Sequence, residues 1–177
     1  EGSPVRKTDL LLISPKSGKF PLVDFSRQNR LDLLKKPWQL RYKAHQEILR
    51  SGGEAVALAA ARFLKARPSD TDFSSLIYLA AAHGDALSTR KITELAASSG
   101  PARILALRVM ADYPDRFEPL DAAPVLKDTK DPAVLLALLD CLHTTPPTMP
   151  VSDALAELAA HADAFVRQSA ARLLARR

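Results

Sequence analysis

One segment of the sequence combines positive charge with aromatic rings, and six of its residues are the candidate partner-binding residues. Cations of this kind pair with phosphates or with acidic surfaces, and the rings offer faces for stacking. Three interpretations stay open: packing of the tryptophan under the preceding segment, contact with a protein, and contact with nucleic acid. The six residues are Lys35, Lys36, Trp38, Arg41, Tyr42 and Lys43.

The other residue types that carry chemistry do not assemble into a site. The four histidines fall at different positions of the repeat described below, whereas metal ligands must converge. Cys141 is the only cysteine, which excludes an intramolecular disulfide and a CxxCH haem attachment, and we predict that it is a small core residue. No Ser/His/Asp order, carboxylate pair or phosphate-binding glycine loop is present. The sequence therefore predicts no catalytic residue, no metal, no cofactor and no enzyme.

Composition indicates a folded helical chain with a basic beginning. The 177 residues are 47% apolar but only 6% aromatic, and alanine and leucine dominate, which favours closely packed helices. The net charge is +5, and the first fifty residues hold 11 Lys/Arg against 5 Asp/Glu. No run approaches eighteen apolar residues, so we predict no membrane insertion.

An internal repeat sets the position of every candidate residue. Its anchor positions are spaced by 31 or 32 residues. Three residues after each anchor lies a mostly small side chain, seven after it a large apolar one, and eight or nine before it a leucine. Offsets 0, +3 and +7 share one face of a helix, so each repeat carries an apolar stripe. The anchors are Arg41, Asp72, Arg103, Leu135 and Arg167.

Each repeat is predicted to be two helices joined by a tight turn, and stacking would bury the stripes in one core. We predict an all-α right-handed superhelix of about five pairs over residues 26–177, preceded by an irregular arm over residues 1–25. In that arm "TDLLLIS" is compatible with a short strand. The predicted repeats are 27–51, 54–83, 89–112, 119–143 and 153–176.

The repeat resembles the short-period bacterial form of HEAT repeats. The order D-x-x-V-R-x-x-A stands as Asp163, Val166, Arg167 and Ala170, and parts of it recur in two earlier repeats. In HEAT-like stacks an Asp at the turn of one unit can hydrogen-bond the Arg of the next. Here Asp131 with Arg167 is the pair that this resemblance marks as a structural contact between repeats.

A narrower resemblance concerns the segments "LDLLKKPWQLRYKAHQEILRSGG", "LIYLAAAHGD" and "KDTKDPAVLLALLDCL". They look like the HEAT-like array of large exported proteins of planctomycetes and their relatives, which join a sugar-dehydrogenase-like β-propeller to a c-type cytochrome. The resemblance implies a periplasmic or other extracytoplasmic location, and a region taken from a longer polypeptide. It carries no catalytic motif into this chain.

These observations lead to two functional hypotheses. The first is a non-catalytic interaction or spacer scaffold that docks a protein partner or positions neighbouring domains. The alternative is a nucleic-acid-binding array that uses the basic first repeat, with affinity falling steeply as salt rises.

Overall fold

The computed structural model describes residues 29–144 and 151–176, and within them the protein is all-helical. The all-α prediction is confirmed for these residues, which contain no strand. The predicted arm over residues 1–25 lies outside them. The helices are α1 (Arg30–Leu33), α2 (Trp38–Ser51), α3 (Gly53–Lys65), α4 (Phe73–His83), α5 (Ala86–Ala97), α6 (Arg103–Asp112), α7 (Ala123–Asp128), α8 (Pro132–Thr144), α9 (Ser152–Leu158) and α10 (Ala164–Leu174), with a 3₁₀ turn at Pro114–Arg116.

Short polar side chains and glycines explain where several helices begin and end. Asp85 caps α5 by accepting hydrogen bonds from the amides of Leu87 and Ser88, at 3.1 and 3.0 Å. Because of this cap α5 begins at residue 86, three residues before the predicted start of its repeat. Gly84 ends α4 in the left-handed region, with a φ of 72°, where a side chain would also meet Arg116.

The helix before α8 begins later than predicted. The predicted repeat begins at residue 119, but its first helix, α7, begins at Ala123. Pro124 stands in its first turn, where its missing N–H is tolerated, and it has no place further inside a helix. The helix therefore begins one residue before the proline.

The core follows the predicted repeat positions. The residues three after each anchor are buried, from Ala44 to Ala170, and those seven after it are buried or, for Leu174, partly buried. The second helices of the pairs contact each other in order, α2 with α4, α4 with α6, α6 with α8, and α8 with α10. The small side chains at the third position allow this approach of neighbouring helices.

Lys91 forms a polar link between two first helices, α5 and α3. Its Nζ donates hydrogen bonds to the carbonyls of Phe63, Leu64 and Ala66 at 2.8, 3.0 and 3.0 Å. It also lies 4.7 Å from the centre of the Phe63 ring. The carbonyls of Leu64 and Ala66 have no other donor among the described residues, and that of Phe63 also accepts from the Ala66 amide at 3.0 Å, so the ammonium caps the end of that helix. Desolvation by burial lowers the pKa of Lys91.

Replacing Lys91 with methionine is expected to lower the free energy of unfolding by about 2 kcal/mol, because the carbonyls of Leu64 and Ala66 lose their donor and that of Phe63 loses one of two, while the aliphatic packing is kept. Urea denaturation followed by circular dichroism measures the change. The control is Lys130→Met, because Lys130 is exposed and bonds to nothing among the described residues; it should shift stability by less than about 0.5 kcal/mol. Equal losses in the two variants would show that the carbonyl contacts contribute nothing specific.

Candidate partner-binding site

Two large aromatic side chains lie on the surface of α2. Trp38 is 64% exposed and Tyr42 is 62% exposed. A separation of four residues places them one above the other on the same side of the helix. Lys35 and Lys36, in the turn that precedes α2, are also exposed. We call these four residues the docking face.

The remaining two predicted site residues point in different directions. The Nη1 of Arg41 donates a 2.7 Å hydrogen bond to the carbonyl of Thr71, in the loop between α3 and α4. This bond ties the first helical pair to the second. Lys43 is exposed on α2 and takes part in an interaction of its own. Four of the six predicted residues thus make up the docking face, and Arg41 forms a hydrogen bond between helical pairs.

A cavity of about 460 Å³ opens beside the docking face. Its walls come from the turn before α2, the end of α3 and the loop before α4, and Lys35 belongs to both the cavity and the docking face. We call it the first-repeat cavity. Its lining residues are Lys35, Arg62, Lys65, Ala66, Ser69, Asp70, Thr71, Asp72 and Leu76.

The charges inside this cavity are partly paired. The Nη2 of Arg62 lies 2.8 Å from the Oδ2 of Asp72, which is almost fully buried. That contact is an ion pair without hydrogen-bond alignment, since the same oxygen has no hydrogen-bond partner. A second ion pair, 3.4 Å long, joins Arg62 to the exposed Asp32 of α1. Arg62 thus holds together the first two repeats through carboxylates that lie 40 residues apart in the sequence.

Asp131 and Arg167, the predicted pair between repeats, bond within their own repeats. The Nη1 of Arg167 donates to the carbonyls of His161 and Ala162, at 2.6 and 3.2 Å. The Oδ1 of Asp131 accepts from the amide of Ala133 at 2.9 Å and so caps α8. The short Asp131 side chain caps the start of α8, whereas the long Arg167 side chain reaches back to the loop that precedes its own helix, α10.

Arg103 makes the contact between repeats that the sequence did not identify. Its guanidinium donates to the carbonyls of Ala97 and Ser98 at the end of α5, with 3.2 Å to Ala97. It also forms a 2.8 Å ion pair with Asp128 at the end of α7. The first two contacts repeat the Arg167 pattern, since both arginines bond carbonyls five and six residues before them. Both arginines occupy the anchor position of their repeats, and that shared position was the available sequence signal.

The histidines do not come together. His45 lies on α2, partly buried, and burial lowers its pKa against the opposing effect of a hydrogen bond to the Ser75 backbone. The Nδ1 of His161 accepts from the amide of Asp163 at 3.0 Å, and His143 contacts Arg176. Within residues 29–144 and 151–176, no three His, Cys, Asp or Glu side chains are grouped as metal ligands would be.

Cys141 lies fully buried in α8, as the sequence predicted for a core residue. Burial raises the pKa of its thiol to about 11. A thiolate is the reactive form, so the folded protein should react with a soluble aromatic disulfide about a hundredfold more slowly than the unfolded chain at pH 8. The measurement is absorbance of the released thiolate with and without denaturant. Rapid stoichiometric reaction of the native protein would contradict this burial.

None of the described helices is both long and apolar enough to cross a membrane. In comparisons with known proteins, no family model, curated protein or solved structure matches the chain.

Proposed function

We propose that the chain is a non-catalytic scaffold whose docking face binds a protein partner. The observation that carries this proposal is the exposure of Trp38 and Tyr42 side by side on α2. Large aromatic side chains that remain in water lose the free energy of burial, and protein interfaces are enriched in tryptophan and tyrosine for that reason. The two lysines beside them supply a polar rim.

The proposed architecture is a right-handed superhelix of five HEAT-like helical pairs. Supporting it are the ordered contacts of the second helices and the contact of α3 with α5, since each repeat of a solenoid packs on its neighbours. In this proposal the array also acts as a spacer between domains of a longer exported protein, as the sequence resemblance implies. Its compartment would then be extracytoplasmic.

A peptide display experiment tests the scaffold proposal without knowledge of the partner. A library of random peptides is selected on the immobilised protein, and the enriched peptides are then measured against the Trp38→Ala/Tyr42→Ala variant. We expect the double variant to lose about tenfold or more in affinity, because two interface anchors are removed.

The matched control is Leu58→Ala/Leu87→Ala, which removes two other exposed apolar side chains, from α3 and α5. Its affinity for the same peptides should stay close to that of the parent protein. Peptides that bind both double variants equally well would place the binding surface elsewhere, and an absence of any enriched peptide would overturn the scaffold proposal.

Nucleic acid is the second candidate, and the exposed lysines beside two aromatic rings are the observation in its favour. Asp32 and Asp70 lie among the same cations, however, and a phosphate backbone needs a continuous basic path. Trp38 is the only tryptophan, so its emission reports contact directly. Single-stranded DNA at low salt is expected to leave that emission unchanged; salt-dependent quenching that vanishes in Lys35→Gln/Lys36→Gln would favour the nucleic-acid function instead.

A further inference from the structure

The first-repeat cavity leaves two lysines for a ligand. Among the described residues, the side chains of Lys35 and Lys65 have no ion pair and no hydrogen bond, although both line the cavity. Lys35 comes from the turn before α2, and Lys65 is the last residue of α3. They therefore approach the opening from two different elements that the fold brings together.

The acidic residues of the cavity are already engaged. Arg62 neutralises Asp72 at 2.8 Å. The Oδ2 of Asp70 accepts a 2.8 Å hydrogen bond from the amide of Arg67 and so closes the loop before α4. The ammonium groups of Lys35 and Lys65 are thus the cations of the cavity without a paired carboxylate, and they favour a small anion over a further cation as ligand.

The cavity and the docking face form one continuous surface. Lys35 belongs to both, and it stands three positions before Trp38 in the chain, so their Cα atoms lie within about 11 Å. On the other side, Thr71 lines the cavity and accepts the hydrogen bond from Arg41 of α2. A bound segment can therefore touch the lysines and the aromatic rings at once.

We infer that the partner segment is an acidic peptide whose carboxylate enters the first-repeat cavity while a neighbouring apolar side chain packs on Trp38 and Tyr42. This inference rests on the scaffold proposal and specifies its ligand. The carboxylate pairs with Lys35 and Lys65, and the apolar contact supplies most of the buried area. A single carboxylate needs only these two cations, whereas the evenly spaced phosphates of a nucleic acid need a continuous basic path, which Asp70 in the cavity wall interrupts.

The test uses a short synthetic peptide of Glu residues interspersed with Phe and Leu, with a matched peptide in which every Glu is Gln. Binding is measured from Trp38 emission and from the anisotropy of a fluorescent label on the peptide. We expect the Glu peptide to bind about tenfold more tightly than the Gln peptide, and to weaken as salt rises from low to physiological levels.

Two protein variants locate the carboxylate. Lys35→Gln/Lys65→Gln should weaken the Glu peptide about tenfold and leave the Gln peptide unchanged. Lys127→Gln/Lys130→Gln makes the same change of net charge at exposed lysines near α7 and should have an effect within about twofold. Circular dichroism verifies that both variants keep the helical content of the parent protein.

The results distinguish a failure of the acidic-ligand inference from a failure of the scaffold proposal. Equal binding of the two peptides, or equal effects of the two lysine variants, overturns the acidic ligand while a Trp38-dependent affinity still supports the scaffold. If neither peptide binds, while display-selected peptides do bind through Trp38 and Tyr42, the acidic-ligand inference is overturned and the scaffold proposal stands. Displacement of the Glu peptide by single-stranded DNA at lower concentration would show that the cavity serves a phosphate backbone.

Discussion

Replacing Phe63 with alanine is expected to lower the free energy of unfolding by about 4 kcal/mol. The Phe63 side chain is completely buried, its ring centre lies 5.7 Å from that of Phe73, and Lys91 covers its face. The truncation leaves a cavity between α3 and α4, whose packing also positions Arg62 and Lys65. Chemical denaturation gives the change in stability.

The control for this prediction is Phe165→Ala, which removes the same atoms from a side chain that is 70% exposed. Its effect should stay within about 0.5 kcal/mol, because surface truncations rarely do more. A loss of stability in Phe165→Ala as large as in Phe63→Ala would mean that the Phe165 side chain is buried in solution, and would contradict its exposed position on α10.

The second large effect is expected at Arg103, where substitution by alanine should cost about 3 kcal/mol. The residue is only 5% exposed, and its loss leaves the carbonyls of Ala97 and Ser98 and the carboxylate of Asp128 without their donor. The estimate is at the low end for a broken buried pair, since Asp128 is half exposed and regains water. The stability of Arg103→Lys should lie between those of the parent protein and Arg103→Ala, because a single ammonium cannot replace a guanidinium that bonds three acceptors.

Arg167→Ala is the matched control for Arg103. Both arginines bond the backbone carbonyls five and six residues before them, but Arg167 is exposed and makes no ion pair with any described residue. Its loss should lower stability by less than about 1 kcal/mol. Similar losses of stability in the two variants would show that the hydrogen bonds to those carbonyls, rather than burial and the ion pair to Asp128, account for the role of Arg103.

These contacts show which charged side chains of the first two repeats hold the helices together and which do not. Arg62 and Arg41 connect α1, α2 and the loop before α4, so substitutions at these arginines would disturb the shape of the cavity along with its charge. Lys35 and Lys65 make no such connections. For that reason the lysines, and not the arginines, are the appropriate positions for a binding experiment.

Hydrophobic spacing alone predicted the all-α class, the phase of the pairs and the identity of core positions such as Ala44, Ile48 and Met110. Such positions are set by the helical period, which acts over a few neighbouring residues and is written directly in the sequence. Local rules also account for the errors at helix ends: the Asp85 cap lengthens α5, and Pro124 delays α7. The candidate cluster was found in the same way, from residues that are adjacent in the chain.

Only the tertiary structure decided which polar groups meet. Asp131 and Arg167 each bond to their own repeat, Arg103 pairs with Asp128, and Lys35 and Lys65 line the same cavity. Long polar side chains have several partners within reach, and their choice depends on how far neighbouring helices are rotated and shifted. That rotation and shift come from the packing of the whole core, so the spacing of residues along the chain does not contain them.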